Sequence, residues 1–118
     1  NTSSGTYKDF TTMAMKGREY GSHSQKMAGN EQIVSEVASN ANGIGYIGYA
    51  YSGSKGIKVV SIDGASPNPA AVKSYVLARP TYLYTNGEPT GTTKEFIDFC
   101  RSPAGTAIIT KAGFVLVN

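Results

Sequence analysis

Hydroxyl side chains and a glycine stand together at the start of the sequence and could bind an anion. The run comprises Thr2, Ser3, Ser4, Gly5 and Thr6. The hydroxyls donate hydrogen bonds, and glycine allows a ligand to approach the backbone closely. A helix beginning here would add unpaired N–H groups and the positive end of its dipole. The run therefore indicates an oxyanion site for phosphate, sulfate or carboxylate. It is also, and more commonly, the pattern of an ordinary N-cap.

The helix that would position this run follows it directly. Ser3 and Ser4 are good N-cap residues, and apolar side chains then recur at helical spacing. The apolar positions are Tyr7, Phe10, Met13 and Ala14. We therefore expect a helix from about Gly5 to Lys16.

Further helices are predicted downstream. Asn30 can cap a second helix, which ends before Gly43 in a left-handed C-cap conformation. A short helical turn is expected in "AAVKSYVL", and a helix from about Thr93 to Arg101. Ser102 caps the last helix, with Pro103 at its first position. The inner face of the helix before Ser102 is expected to comprise Phe96, Ile97 and Cys100.

Strands are predicted between these helices. The segments "IGYIGYAY", "GIKVVSI", "RPTYLYT" and "FVLV" are rich in β-branched and aromatic residues, and "DGASPNP" marks a turn. Helices that alternate with strands favour an α/β fold with a largely parallel sheet.

Two other motifs could bind ligands. "GIGYIG", residues 43–48, matches the Gly-x-Gly-x-x-Gly fingerprint, and Asp63 follows about 20 residues later, as in dinucleotide-binding proteins. That fingerprint must follow a strand and open a helix, whereas this motif follows a helix and lies within a predicted strand. We interpret its glycines as positions of close packing or a bulge. "GSHSQK" is a second candidate anion loop, and its His23 is expected to be an exposed loop residue.

The composition argues against several function classes. The 118 residues suggest one domain or part of a larger one, and the net charge of +3 is scattered, unlike a nucleic-acid interface. No apolar run approaches the ~20 residues of a membrane span. The single cysteine, Cys100, excludes an internal disulfide, and the single histidine argues against a histidine metal site or triad. We predict no cofactor, no metal and no enzymatic activity, because no cluster of nucleophile and base is evident.

Four stretches occur in an order typical of one protein family. They are "SSGTYKDFTTMAM", "EQIVSEVASNANGIGYIGYAY", "IKVVSIDG" and the segment from "RPTYLYT" to "SPAGTAIITKAGF". In this order they resemble the second half of the periplasmic phosphate-binding proteins that feed ABC transporters, the PstS-like family. The resemblance covers essentially the whole sequence.

The resemblance implies roles for the hydroxyl-rich run. Ser4, Gly5 and Thr6 would be phosphate ligands, with Thr2 and Ser3 as further contributors. The family often carries an acidic residue where Thr2 stands, so strict selection of phosphate over sulfate is not implied. The arginine that the family usually places four residues before the serine falls outside this sequence.

The resemblance also implies a fold and partners. The type 2 periplasmic-binding fold has two α/β lobes with the ligand between them. Residues 1–78 would form most of lobe two, and 79–118 a crossover strand and C-terminal helices, with a hinge near Leu77 to Tyr84. The implied partners are inorganic phosphate, the permease subunits of an ABC importer, and the missing N-terminal lobe. The implied location is periplasmic or extracellular.

Two further expectations follow from this resemblance. The chain would be a fragment that begins within the phosphate loop and binds phosphate at about millimolar concentration or worse. Apolar surface that the other lobe covers in the family would be exposed, so the fragment is expected to form a homo-oligomer. The alternatives are a phosphate-sensing or accessory module on the same fold, and, less favoured, an enzyme acting on phosphate esters.

Overall fold

Four α-helices provide most of the regular structure of residues 2–116, the part of the chain that the computed structural model describes. They are α1 (Gly5–Met13), α2 (Asn30–Ser39), α3 (Gly91–Arg101) and α4 (Pro103–Lys111). Short 3₁₀-helical turns lie at Tyr49–Tyr51 and Pro69–Ala71. The four main predicted helices are therefore present. Of the helical turn predicted in "AAVKSYVL", only the start is helical, as part of the 3₁₀ turn at Pro69–Ala71.

The first helix begins where the sequence predicts and ends one turn earlier. Lys16 and Gly17 both adopt positive φ angles, of 53° and 77°, and such angles end a helix. The Gly17 N–H donates to the Thr11 carbonyl at 2.9 Å, which turns the chain back along α1. Gly17 adopts this left-handed conformation without steric cost, because glycine has no side chain.

The second helix differs from the prediction at both ends. Gly29, not Asn30, is the N-cap residue, and the Asn30 side chain accepts a hydrogen bond from the Gly48 N–H at 3.1 Å. Gly43 does not adopt a positive φ angle, and the C-cap residue is Asn40, in extended backbone. The Gly43 N–H instead donates to the Asn40 carbonyl at 2.8 Å. The left-handed C-cap prediction for Gly43 was therefore wrong.

The predicted α/β sheet is not confirmed, because no strand forms within residues 2–116. "IGYIGYAY" contains the 3₁₀ turn, "RPTYLYT" is irregular, and "FVLV" is irregular as far as its last residue, which lies outside the described range. Sheet propensity spans only about 1 kcal/mol, and a strand also needs a neighbour to pair its N–H and C=O groups. The sequence pattern identified segments with strand propensity, but it did not show which segments would pair with each other.

One hairpin-like turn is formed within the predicted "DGASPNP" turn. Ile62 and Ala65 exchange two backbone hydrogen bonds of 2.9 Å in an antiparallel bridge. Asp63 and Gly64 between them have φ angles of 50° and 79°. Two successive positive φ angles are typical of a type I′ turn, for which Asp-Gly is a favoured pair.

The contacts divide the chain into two compact units, one ending at Ala78 and the other beginning at Arg79. The family resemblance implies a lobe boundary in this region, and this division of the contacts does not test it. The assignment of the units to lobes stays a prediction.

In the second unit α3 and α4 pack closely at one point. The Ser102 side chain accepts a hydrogen bond from the Gly105 N–H at 3.2 Å, so Ser102 caps α4 as predicted. Gly105 is buried, and a Cβ there would clash with the Phe99 carbonyl oxygen. Of the predicted inner face of α3, Ile97 and Cys100 are half-buried, whereas 58% of Phe96 is exposed.

Candidate functional site

The hydroxyl-rich run lies at the start of α1, as an oxyanion site requires. Ser4 is the N-cap residue, with φ −70° and ψ 134°, and its carbonyl accepts from the Lys8 N–H at 3.3 Å. Its side chain makes no capping hydrogen bond to the helix. Ser4 is therefore an N-cap residue by its backbone position, without the side-chain bond to the first turn that a capping serine usually makes.

The electrostatics of this helix start favour an anion. The first turn of α1 contains no acidic residue, so no carboxylate there competes for the positive end of the dipole. Gly5 is exposed, as are Thr2 and Ser3, and Ser4 and Thr6 are half-buried. The run is thus accessible to a small ion from solvent.

Stacked aromatic rings pack against α1 immediately after the run. The rings of Tyr7 and Tyr20 are 4.8 Å apart at an interplanar angle of 22°. The rings of Phe10 and Tyr46 are 4.2 Å apart at 11°. We call the half-buried side chains of Tyr7, Phe10, Tyr20 and Tyr46 the aromatic cluster. It joins α1 to the loop after it and to the segment after α2.

Hydroxyl groups of this cluster form a hydrogen-bonded network. The Tyr20 hydroxyl donates to Tyr46 Oη at 3.0 Å and lies 3.4 Å from the Tyr7 carbonyl oxygen. Thr11 Oγ1 donates to the same carbonyl at 2.8 Å and lies 3.4 Å from Tyr20 Oη. Burial, and then the hydrogen bond with Tyr20, raise the pKa of Tyr46 well above its usual value. The Tyr46 hydroxyl is therefore protonated at neutral pH.

The "GIGYIG" motif has a packing role. A Cβ at Gly45 would lie 2.7 Å from Cγ2 of Ile33 on α2, so the chain passes close to that helix. Asp63, the expected acidic partner of a dinucleotide fingerprint, is the first residue of the type I′ turn. The motif opens no α-helix, and it places Tyr46 against α1. Close packing at Gly45 was the interpretation made from sequence.

The second candidate anion loop borders a cavity that Tyr7 and Tyr20 also line. A cavity of about 390 Å³ in the first unit is lined by residues that include Arg18, Ser22, Ser24 and Lys26. Ser4, Gly5 and Thr6 are not among its lining residues, so the structure does not bring the two candidate anion loops into one cavity. His23 is exposed, as predicted for a loop residue.

The described residues contain no group of three His, Cys, Asp or Glu side chains that could hold a metal ion. In that same range no helix is both long and apolar enough to cross a membrane.

Sequence reasoning missed the aromatic cluster. The sequence pattern predicted a strand over "IGYIGYAY", and nothing linked its Tyr46 to Phe10 or Tyr20. The sequence showed only that aromatic residues are frequent. It did not show which of them pack together, because the contacts join residues distant in sequence, such as Tyr20 and Tyr46.

Curated relatives identify the class of protein that the chain resembles. It is 30% identical over 119 residues to the phosphate-binding protein PstS of Bacillus subtilis, covering 98% of this chain and 39% of that protein. It is 32% identical over 127 residues to PstS of Staphylococcus aureus, covering 98% of this chain and 38% of the relative. A third relative, PstS of Staphylococcus saprophyticus, is 34% identical over 108 residues, which is 84% of this chain and 33% of the relative.

These relatives are phosphate-binding proteins by name, and that is the class to which the chain is similar. More particularly, the chain is a PstS-like sequence, which confirms the resemblance seen in its motifs. It spans less than two fifths of the length of the relatives it matches. No protein-family model matches the chain. No solved structure matches it either.

Proposed function

We propose that this chain contributes to an inorganic phosphate site in the solute-binding component of an ABC importer. The observation that carries the proposal is its similarity, over 98% of its residues, to proteins named PstS phosphate-binding protein. The start of α1 supports it physically, because an uncapped helix N-terminus beside hydroxyl groups favours an anion. The chain acts in binding and transport rather than as an enzyme.

Each residue of the run has a distinct role in this proposal. The Ser4 and Thr6 hydroxyls donate to phosphate oxygens, and the N–H groups of the first helical turn donate beside them. Gly5 lets an oxygen approach the backbone, since it carries no side chain at the exposed first position of α1. Thr2 and Ser3 add hydroxyls at the edge of the site. No cofactor is needed for this chemistry.

The selectivity of the proposed site is expected to be modest. Thr2 carries a hydroxyl, which both donates and accepts hydrogen bonds and carries no charge. It therefore does not repel a fully ionised oxyanion as a carboxylate at that position would. We expect sulfate to compete measurably with phosphate for this chain.

The fold and partners of the whole protein follow the same proposal. Residues up to Ala78 would belong to one lobe of a two-lobed periplasmic-binding fold, and those from Arg79 to its crossover and C-terminal helices. The other lobe of such a protein and the permease subunits of the importer would be its partners, outside the cytoplasm in the periplasm or extracellular space. Nucleic acid is not a partner, because the charge of +3 is small and scattered.

Replacing Thr6 tests the proposed site. Thr6→Val removes one hydroxyl while keeping the side-chain shape, and a hydrogen bond to a charged group contributes about 1.5–3 kcal/mol. We expect phosphate affinity, measured by titration of the amide spectrum, to fall about tenfold or more. Thr12→Val is the matched control, because Thr12 lies in the same helix and bonds the Lys8 carbonyl at 3.1 Å.

The two variants give a clear decision. Weak binding by Thr6→Val together with unchanged binding by Thr12→Val supports the assignment. Equal phosphate affinity in Thr6→Val and the unchanged chain would place the ligand elsewhere. Release of phosphate from an ester by the unchanged chain would replace the binding proposal with an enzymatic one.

A further inference from the structure

The start of α1 lacks the local features that usually stabilise a helix N-terminus. Its N-cap side chain makes no capping bond, its first turn has no acidic residue, and its first residue is glycine. At nine residues, α1 is also shorter than the ~12–15 residues at which an isolated helix becomes even marginally stable in water. Contacts from elsewhere in the first unit therefore help to hold the first turn in place.

The aromatic cluster supplies those contacts at the residue that follows Thr6. The ring of Tyr7 stacks on Tyr20, and its carbonyl lies within hydrogen-bond distance of the Tyr20 hydroxyl, at 3.4 Å. The positive φ angles of Lys16 and Gly17 reverse the chain and return Tyr20 to this position. Tyr20 therefore contacts both the side chain and the backbone of the first turn.

The segment that follows α2 also contacts Tyr20, through Tyr46. Gly45 allows this segment to pass against Ile33, and Tyr46 then stacks on Phe10 and bonds Tyr20 at 3.0 Å. The Tyr20 hydroxyl has one proton, which is shared between Tyr46 Oη and the Tyr7 carbonyl.

We propose that Tyr20 is a positioning residue of the oxyanion site, whose hydroxyl and ring together fix the first turn of α1. The proposal rests on the proposed function, since the site it positions is the Ser4–Thr6 run. Tyr20 does not contact the ligand. Its ring and hydroxyl contact Tyr7, the residue directly after Thr6, and so limit the movement of the peptide groups of this first turn. An oxyanion site depends on such preorganised N–H directions, because a donor held in place loses no freedom on binding.

Three Tyr→Phe variants of the full 118-residue chain test this role. Each keeps its ring and loses one hydroxyl. Tyr20→Phe removes the bond to Tyr7, whereas Tyr46→Phe leaves the Tyr20 proton to the Tyr7 carbonyl alone. Tyr51→Phe is the control in the same unit, because it loses a hydroxyl bond of 2.8 Å to Glu31 outside the cluster. The probe is inorganic phosphate, followed through the amide signals of Gly5 and Thr6, with circular dichroism to measure helix content.

The expected result is an asymmetry among the variants. Tyr20→Phe should weaken phosphate binding about three- to tenfold, the effect of one lost hydrogen bond, with unchanged helix content. It should also change the Gly5 and Thr6 amide shifts at phosphate saturation, which a merely structural role would leave as they are. Tyr46→Phe and Tyr51→Phe should bind phosphate as the unchanged chain does.

Each other outcome overturns one of the two proposals. If the unchanged chain shows no phosphate response at Gly5 and Thr6, the proposed function fails, and the role of Tyr20 fails with it. If that response is present but Tyr20→Phe binds equally well, the positioning role alone is overturned. Should Tyr20→Phe lose helix content, a merely structural role explains its effect, and the positioning role is overturned. Loss of phosphate affinity by Tyr46→Phe as large as that by Tyr20→Phe also overturns it, because Tyr46→Phe keeps the Tyr20 bond to the Tyr7 carbonyl.

Discussion

Two serines at helix N-caps show how one residue type serves different purposes in this chain. Ser102 precedes α4 and accepts a bond from the Gly105 N–H at 3.2 Å. Ser4 precedes α1 in similar extended backbone, yet its side chain makes no capping bond. The Ser102 hydroxyl is thus used to cap its helix, whereas the Ser4 hydroxyl is not.

This contrast predicts opposite effects of two alanine substitutions. Ser102→Ala removes a cap and should lower the free energy of unfolding by about 1 kcal/mol, as cap removal typically does. Ser4→Ala removes no cap, so it should leave stability nearly unchanged while weakening phosphate binding. Urea unfolding followed by circular dichroism measures the first effect, and a phosphate titration measures the second. Destabilisation by Ser4→Ala as large as that by Ser102→Ala would mean that Ser4 is an ordinary cap.

At the scale of elements, glycines determine where segments approach each other. Gly105 brings α4 against the end of α3, where a Cβ would clash with the Phe99 carbonyl oxygen. Gly45 performs a similar role beside α2, where a Cβ would meet Ile33 at 2.7 Å. At both positions the missing side chain permits a contact that alanine would obstruct. Neither glycine has a positive φ angle, so space rather than backbone conformation explains them.

The sequence predicted the elements whose stabilising signals are local. The helix from Gly5, the helix from about Thr93 and the Ser102–Pro103 cap all follow from nearby residues, and so does the Asp63–Gly64 turn. No such local signal stabilises the predicted strands. A strand must pair with a neighbouring strand, and β-propensity does not identify that neighbour. The C-cap at Gly43 failed because close approach to Val37 and Asn40, rather than a left-handed φ, accounts for that glycine.

The sequence indicated the residues of the candidate site, but it did not indicate the side chains that pack behind them. Ser4, Gly5 and Thr6 were identified from residue types and from the family resemblance, and the structure places them at a helix start. The aromatic cluster that packs behind them joins Tyr20 to Tyr46. A contact between residues so far apart in sequence has no periodic pattern, so a single sequence does not reveal it.

At the scale of the whole molecule, apolar side chains are widely exposed. None of the hydrophobic side chains in residues 2–116 is fully buried. In the second unit, Tyr82, Leu83 and Tyr84 are 63%, 61% and 88% exposed. Exposed apolar surface of this kind favours association, because contact with another surface removes it from water.

We therefore expect the chain to self-associate at micromolar concentration. Sedimentation velocity should show a dimer or larger assembly whose fraction grows with concentration. Replacing Tyr82, Leu83 and Tyr84 together by serine should shift the chain towards monomer. Lys55→Ser is the control, because it alters an exposed polar position. A clean monomer of the unchanged chain over this concentration range would contradict the expectation.

The most direct test of the central claim is a phosphate titration of the chain observed by its amide signals. The Gly5 and Thr6 signals should move in a saturable manner, with a dissociation constant of about 1 mM, equivalent to about 4 kcal/mol. The Gly105 signal, at the start of a helix whose N-cap serine is already bonded, should stay in place. Sodium chloride at equal ionic strength should move neither. Phosphate-dependent shifts that are absent at Gly5 and Thr6, or that are as large at Gly105, would contradict the account.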